Sequence, residues 1–520
     1  MLENKFNPYI KFSSELKNWK YKTEKIAKEQ GLSFSPIIFE IVNADQLYQI
    51  SGFGGFPTRY SHWSFGQEYE NMRKQYFYKV MKISEMVINT NPVYAYLANE
   101  NTLVDQKLVM AHVYGHADFF KNNLWFQYTD RNALNTLANH AKIVDKYIDQ
   151  YGEQEIEEFL DICLSIDQHI DKHSLFIKRK DDFKFLNVYN DREEEKEEVK
   201  HFKISIDQPY MEEFINPSKV IKEEREKFKK KQKEQEEKDI DLPEKDLLLF
   251  LICRAPLKPW QRHILSIIRE EAYYFAPQGM TKIMNEGWAS YWHSEILTKH
   301  GICEDSEIIE FAECHAGTMG SSRSLNLYKL GYEIFLDIEE RWNKGKFGKE
   351  YNECLNYDKR KQWDTNLNLG REKIFQVRRD YNDVMFIDEF FTKELCQKLK
   401  MFTYDKNDDN EYYISNRDYE VIKQRLLFQL TNHGKPQIIV VDADYNKDGI
   451  LFLEHKTELP FILNDDTKEV LSYIQKLWKK DVCLRLQYGE EHKEFYFLNN
   501  GSQTMTATVD PFQKKTYVFK

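Results

Sequence analysis

Apolar side chains recur every three to four residues along most of the chain up to about residue 380, which is the pattern of amphipathic helices. In residues 9–32, Leu16, Trp19 and Ile26 repeat at this spacing and Gly31 follows as a C-terminal cap. Two β-branched segments interrupt the pattern: 35–43 is predicted as a strand or buried turn, and 91–101 as an edge strand. The same period predicts further helices at 67–91, 103–128, 132–176, 246–277, 285–297, 307–319 and 326–342.

The pattern changes near the end of the chain. After FIDEFFT (386–392), which is predicted to be helical, strand-like segments dominate: QIIVVDAD, ILFLEH, CLRLQY, EFYFL and TYVFK. We therefore predict a mainly α-helical N-terminal domain over residues 1–375 and a smaller α+β C-terminal domain over 376–520. The Arg-rich stretch 371–380 would join them.

A charged segment interrupts the predicted N-terminal domain at about residues 190–245. NDREEEKEEVKHF and VIKEEREKFKKKQKEQEEKDIDLPEKD consist almost wholly of charged and polar residues. Such a composition is typical of a solvated single helix or of a disordered insert.

Composition narrows the function classes. The formal net charge of −11 argues against nucleic-acid binding, because the one lysine-rich run, 222–233, is interrupted by glutamates. No signal peptide is recognisable, and no window has the ~18 apolar residues of a membrane span, so a cytoplasmic protein is expected. The seven cysteines form no CxxC pair and are interpreted as reduced thiols, with no disulfide framework.

Two histidines four residues apart, His112 and His116, are the first candidate for chemistry. On a helix they lie about 40° apart, so both imidazoles can bind one metal ion. Glu286, seven residues before His293 on another predicted helix, would supply a third ligand to zinc or another divalent transition metal. The alternative is that Glu286 pairs or caps locally, while His293 packs among neighbouring aromatic rings.

The usual partner of such a histidine pair is missing. Val113 stands where the HExxH motif of zinc peptidases has its glutamate, the general base. Glu271, Glu270 and Asp118 are candidates for a substitute base, and we assign Glu271, with His293 and Tyr328, to the catalytic group. Val113 makes peptidase-type hydrolysis less expected, but it does not affect metal binding.

Aromatic and polar residues outside these helices are candidates for substrate binding. The glycine-rich segment 51–70 carries Arg59, His62 and Trp63, which either pack against the domain or line a site. His315 can hold an oxyanion or a carbonyl oxygen, or be a hydrogen-bonded core histidine. DYNKDG (444–449) matches the start of a calcium loop, but His455 occupies the position of its last acidic ligand, so a β-hairpin is predicted instead.

Several blocks together resemble the SpoVR family, the stage V sporulation protein R group. They are RYSHWSFG (59–66), NPVYAYL (91–97), MAHVYGHADFFKNN (110–123), KIMNEGWASYWH (282–293), HAG (315–317), NLYKLG and DIEERW within 326–342, and DYNKDGILFLEH in the tail. The resemblance covers nearly the whole chain. It implies a role in sporulation, in forming the peptidoglycan cortex of the spore, and it suggests proteins of a PrkA-type serine kinase pathway as partners.

EGWASY and YKLG also resemble motifs of helical zinc peptidases of the gluzincin type, although this overlap is short. The resemblance implies a zincin-like domain with His112, His116 and Glu286 as ligands and Tyr328 facing the substrate. His293 falls where those peptidases often have an acid. Two hypotheses follow: a metal-dependent amide or peptide hydrolase, or a non-catalytic protein that keeps a zincin-derived shape for regulation or as a scaffold.

Overall fold

A computed structural model shows how these segments fold. The residues it describes are 13–78, 83–174, 242, 244–320, 325–406, 411–431, 437–445, 447–457, 465–488, 492–498 and 504–507. The predicted charged insert therefore lies outside the described residues except for Leu242, Glu244 and Lys245. The predicted strand TYVFK (516–520) lies outside them as well.

The described part of the chain divides into two compact units, each built from two segments. The first unit comprises 1–146 and 274–435, and the second comprises 147–273 and 436–520. The division into domains at 375/376 stays a prediction. No described helix is both long and apolar enough to cross a membrane. The seven cysteines are free thiols in this structure.

Helices make up most of the described residues, which confirms the predicted mainly α-helical class, and the zincin-like character of the N-terminal domain stays a prediction. The helices are α1 (Ser14–Glu29), α2 (Ala44–Gly52), α3 (Trp63–Phe77), α4 (Leu103–Asn122), α5 (Ala133–Tyr151), α6 (Glu153–Ser165), α7 (Leu247–Arg254), α8 (Pro259–Met280), α9 (Lys282–Lys299), α10 (Ile308–Thr318), α11 (Leu327–Lys344), α12 (Gly348–Asn352), α13 (Tyr357–Lys361), α14 (Gly370–Asp380), α15 (Asp383–Phe390), α16 (Lys393–Lys398), α17 (Tyr419–Leu430) and α18 (Asp465–Trp478). The strands are β1 (Ile37–Val42), β2 (Glu85–Ile88), β3 (Val93–Ala98), β4 (Thr403–Lys406), β5 (Tyr412–Asn416), β6 (Ile439–Tyr445), β7 (Ile450–Thr457), β8 (Val482–Tyr488), β9 (His492–Leu498) and β10 (Thr504–Ala507).

A three-stranded sheet in the first unit corrects two predictions. Its order is β1-β3-β2, with β1 parallel and β2 antiparallel to β3. Segment 91–101 therefore contributes the central strand and not an edge, which fits the burial of nearly all of β3. The helix predicted over 67–91 ends with α3, and β2 follows because its short apolar segment pairs with β3.

The core of the first unit is built around α4, α9 and α11. Sixteen of the twenty residues of α4 are buried, so this helix is a central one without a solvated face. A capping box formed by Thr102 and Asp105 starts it. The start of α9 is capped from outside: Asp383, the first residue of α15, accepts hydrogen bonds from the backbone N–H groups of Ile283 and Met284 at 2.8 and 2.9 Å.

Glycines allow these three helices to approach closely. A Cβ atom at Gly115 of α4 would lie 2.7 Å from the Cα of Ala289 in α9. A Cβ at Gly287 would lie 2.4 Å from the carbonyl carbon of Gly331 in α11. Both contacts are with backbone atoms, which cannot move aside as a side chain can. The helix spacing that these glycines permit positions the side chains described below.

The second unit contains a five-stranded sheet in the order β10-β9-β8-β7-β6. Strands β7 and β8 run parallel, and the other neighbours are antiparallel. Strands β6 and β7 form the hairpin predicted for DYNKDG, in which Asp444 Oδ1 accepts a hydrogen bond from the backbone N–H of Gly449 at 2.7 Å. The predicted α+β character of the C-terminal part is thus confirmed.

Candidate metal centre

Two central helices bring three predicted ligands together. His112 and His116 lie one turn apart on α4, and Glu286 lies in the first half of α9. One ligand atom from each lies within 4.8 Å of the other two. Glu286 Oε2 is 3.5 Å from His112 Nε2 and 3.6 Å from His116 Nε2, so both imidazoles present the same nitrogen to one carboxylate oxygen.

The other nitrogen of each imidazole is already engaged. His116 Nδ1 lies 2.9 Å from Asn285 Oδ1, and His112 Nδ1 lies 3.1 Å from His293 Nδ1. Within the described part of the chain, His112 Nε2 and Glu286 Oε2 are buried and have no hydrogen-bond partner. Buried polar atoms are rarely left in this state. Two imidazoles and a carboxylate also form a donor set that suits zinc and similar ions, so these residues fit a divalent metal.

Two further side chains border this cluster. The Tyr328 ring on α11 stacks on the His112 ring with centroids 6.2 Å apart. The negative charge of Glu286 and burial raise the pKa of Tyr328, so this phenol keeps its proton. Glu85, on β2, places its Oε1 3.9 Å from His112 Nε2. Sequence reasoning missed Glu85, because it belongs to a four-residue strand inside a segment with helical periodicity.

Burial and mutual charge shift the pKa values in the cluster. Burial and the charge of His112 lower the pKa of His116 to about 4. At His112, burial opposes the charged form, but the carboxylates of Glu286 and Glu85 outweigh it and raise the pKa. Burial would raise the pKa of Glu286, yet the two histidines lower it overall. The pKa of Glu85 is raised by burial. Glu286 is therefore the carboxylate best held in its ionised form.

Comparison with known proteins identifies the family. A family model described as SpoVR like protein matches residues 11–435. The chain belongs to the SpoVR family. A second model, the SpoVR-like C-terminal domain, matches residues 436–488, and it begins where the first compact unit ends. This membership confirms the resemblance found in the sequence and fits a sporulation-associated protein.

This SpoVR-family protein is similar to a curated relative over most of both chains. The uncharacterized protein YcgB of Escherichia coli (strain K12) is 29% identical over 494 residues, which are 89% of this chain and 90% of that protein. No solved structure matches the chain significantly.

A histidine network extends from the cluster in the SpoVR-family protein. His293, fully buried on α9, also places its Nε2 3.0 Å from the Nδ1 of His315 on α10. Burial lowers the pKa of both His293 and His315. The structure thus brings together six predicted site residues: His112, His116, Glu286, His293, His315 and Tyr328.

Of the candidates for the missing general base, Asp118 is engaged in other contacts, and Glu270 and Glu271 belong to the other compact unit. Val113 is fully buried in the hydrophobic core. Asp118 accepts hydrogen bonds from the backbone of Ser33 and the indole of Trp288 at 2.8 and 2.9 Å, and it faces Arg378. Glu271, buried, and its neighbour Glu270, exposed, belong to the second compact unit. The catalytic role of Glu271 stays a prediction.

The three predicted substrate-binding residues of segment 51–70 make local contacts. The Arg59 guanidinium lies 4.9 Å from the centre of the Phe65 ring and 5.2 Å from that of Tyr60. His62 caps α3, with its Nδ1 2.7 Å from the Ser64 hydroxyl. Trp63 is 55% exposed. These contacts favour a packing role for Arg59 and His62, and substrate binding by all three stays a prediction.

Proposed function

We propose that this SpoVR-family protein is a metal-dependent hydrolase of amide bonds in peptides or in a precursor of the spore cortex. The observation that carries the proposal is the convergence of His112 Nε2 and His116 Nε2 on Glu286 Oε2. These three residues would hold zinc or another divalent transition metal. A cytoplasmic location, which we also propose, would make the substrate a peptidoglycan precursor and not the assembled cortex.

A bound divalent ion would polarise the carbonyl of the amide and lower the pKa of water. Tyr328 would donate a hydrogen bond from its phenol to the carbonyl oxygen, because a raised pKa keeps that proton in place. Glu85, beside His112, would accept a proton from the attacking water and pass it to the leaving nitrogen. Glu85 would thus serve as the general base, the role that the HExxH glutamate, replaced here by Val113, has in zinc peptidases.

A second candidate function is supported by Val113. Without a glutamate at that position, the centre would serve as a structural or regulatory element of a scaffold protein in the sporulation or stress pathway. The two proposals differ in one respect that can be measured: a hydrolase loses turnover when Glu85 is changed, whereas a scaffold has no turnover to lose. For both, membership of the family suggests proteins of a PrkA-type serine kinase pathway as partners.

The first experiment measures metal by elemental mass spectrometry in purified wild type and in His112→Ala and Glu286→Gln. Near-stoichiometric zinc or another transition metal in the wild type, lost in both variants, would support the centre. His300→Ala and Glu295→Gln are matched controls on or next to α9, and they should retain the metal. A wild type without metal, even after reconstitution, would refute the hydrolase proposal.

An amide-hydrolysis screen follows if metal is present. It should use peptides and peptidoglycan precursor fragments, with Glu85→Gln and Tyr328→Phe as test variants. Metal content unchanged in Glu85→Gln with turnover lowered by roughly 10²–10⁴-fold would assign the proton-transfer role. Metal bound at full stoichiometry with no hydrolysis of any amide would favour the scaffold.

A further inference from the structure

The second nitrogen of each of the two histidine ligands contacts an uncharged side chain. In metal sites the second nitrogen of a ligating histidine commonly donates to a carboxylate, a backbone carbonyl or water, and this contact fixes the tautomer and tunes the basicity of the ring. Here the contacts are the side-chain amide of Asn285, at 2.9 Å, and the imidazole of His293, at 3.1 Å.

The direction of both hydrogen bonds follows from the chemistry of the groups. An amide oxygen only accepts, so His116 must carry its proton on Nδ1, which leaves the lone pair of Nε2 directed at Glu286. For His112 to present a lone pair from Nε2 in the same way, its Nδ1 must also carry the proton. His293 Nδ1 then has to be the acceptor.

The same reasoning extends one residue further. A neutral imidazole has one donor and one acceptor, so a His293 that accepts at Nδ1 must donate from Nε2. Its Nε2 lies 3.0 Å from His315 Nδ1, which can accept that proton. His293 is fully buried, and an imidazole that accepts at one nitrogen and donates from the other carries no charge. The three histidines His112, His293 and His315 therefore form one chain in which every bond points away from the centre.

We propose that Asn285 and His293 are positioning residues that fix the metal-binding tautomers of His116 and His112. This inference rests on the proposed metal centre. Because both acceptors are neutral, they leave the two imidazoles less basic than carboxylate acceptors would. The site is therefore built for moderate metal affinity and strong polarisation of a ligand, and converting an acceptor to a carboxylate should tighten metal binding.

The test is the zinc dissociation constant of the full chain, measured by competition with a chromogenic chelator. Asn285→Asp keeps the shape of the side chain and supplies a carboxylate, so zinc should bind roughly tenfold or more tightly. Asn285→Leu keeps a similar volume without an acceptor, and zinc should bind roughly 10–100-fold more weakly. Lys282→Gln is the charge-matched control, because it makes the same change in net charge on an exposed side chain near Glu286.

A second pair of variants tests His293. His293→Asn places an amide oxygen where Nδ1 stands and should retain nearly wild-type affinity. His293→Leu, of similar size, should weaken zinc binding roughly 10–100-fold. Circular dichroism shows whether each variant keeps its helical structure, because position 293 is buried. If His293→Leu does not fold, the Asn285 variants test the proposal.

The possible results distinguish the positioning role of Asn285 and His293 from the metal centre itself. Zinc bound by wild type with unchanged affinity in Asn285→Asp, Asn285→Leu and His293→Leu would overturn the positioning role and leave the metal centre standing. Tightening in Asn285→Asp no greater than in Lys282→Gln would also overturn it, because charge alone would then explain the effect. A wild type that binds no metal would overturn both the centre and this inference.

Discussion

The close approach of α9 and α11 makes Gly287→Ala a sharp test of the architecture around the candidate metal centre. The new Cβ would lie 2.4 and 2.5 Å from the carbonyl carbon and Cα of Gly331, and 2.8 Å from the backbone nitrogen of Tyr332. Ordinary carbon contacts begin near 3.4 Å, so the helices would have to separate locally by about 1 Å. All three obstacles are backbone atoms, and no side chain can rotate away to relieve the contact.

The expected cost follows from two opposing terms. Overpacking of this kind costs about 1–3 kcal/mol or more. The better helix propensity of alanine returns at most about 1 kcal/mol. Because the obstacles here are backbone atoms, the overpacking cost lies at the upper end of that range, and the net effect is a destabilisation of about 2 kcal/mol. Moving the helices apart would also move Tyr328 relative to Glu286, so the proposed amide hydrolysis should slow as stability falls.

The control is Gly66→Ala, which lies within α3 and whose new Cβ would meet no atom within 4 Å. Only the propensity term applies there, so this variant should gain about 0.5–1 kcal/mol. Both variants can be compared with wild type by the midpoint of urea unfolding, monitored by tryptophan fluorescence. If Gly287→Ala unfolds at the wild-type midpoint or above it while Gly66→Ala shows its gain, the helices are not packed as described.

Three further predictions concern charged residues. Burial raises the pKa of Asp383 to about 7 from 3.8. The folded state therefore gains free energy from the protonated carboxyl of Asp383. This gain is complete below pH 4 and is lost as the pH rises through 7, and it amounts to about 1.4 kcal/mol for each unit by which the folded pKa exceeds the unfolded one. The stability of Asp383→Asn relative to wild type should accordingly improve between pH 4 and pH 8, and a pH-independent difference in urea midpoints would contradict the shift. Lys107→Met breaks the 2.8 Å ion pair of a 1%-exposed lysine with Glu307 and should cost about 3 kcal/mol, measured against Lys25→Met at an exposed pair, where less than about 1 kcal/mol is expected. Glu85→Gln should leave the metal content unchanged, and a loss of metal in that variant would make Glu85 a ligand.

Helical periodicity predicted the helices that carry the candidate site because those helices are long and regular. The i, i+4 spacing of His112 and His116 predicts a shared face whatever surrounds the helix. Glu286 could be added because its segment resembles a known ligand motif. These assignments depend on local order along the chain, which a sequence records directly.

The residues that the sequence analysis missed depend on contacts between distant segments. Glu85 enters the site only because β2 pairs with β3, and four residues are too few for a reliable period. Asn285 stands next to a predicted ligand, but its role depends on the rotation of α9 against α4. The assembly of residues 147–273 with 436–520 into one unit has no local signature at all.

The separation of α4 from α9 along the chain has a consequence for synthesis on the ribosome. The hydrogen bond between His116 and Asn285 joins residues 169 positions apart. At about 5–20 residues per second, α4 would wait roughly 10–30 s for the helix that covers it. During that time α4, a largely apolar helix, lacks its main packing partner. The nascent chain therefore needs protection from aggregation, and any truncation before α9 yields a product that can neither bury its histidines nor complete the ligand set.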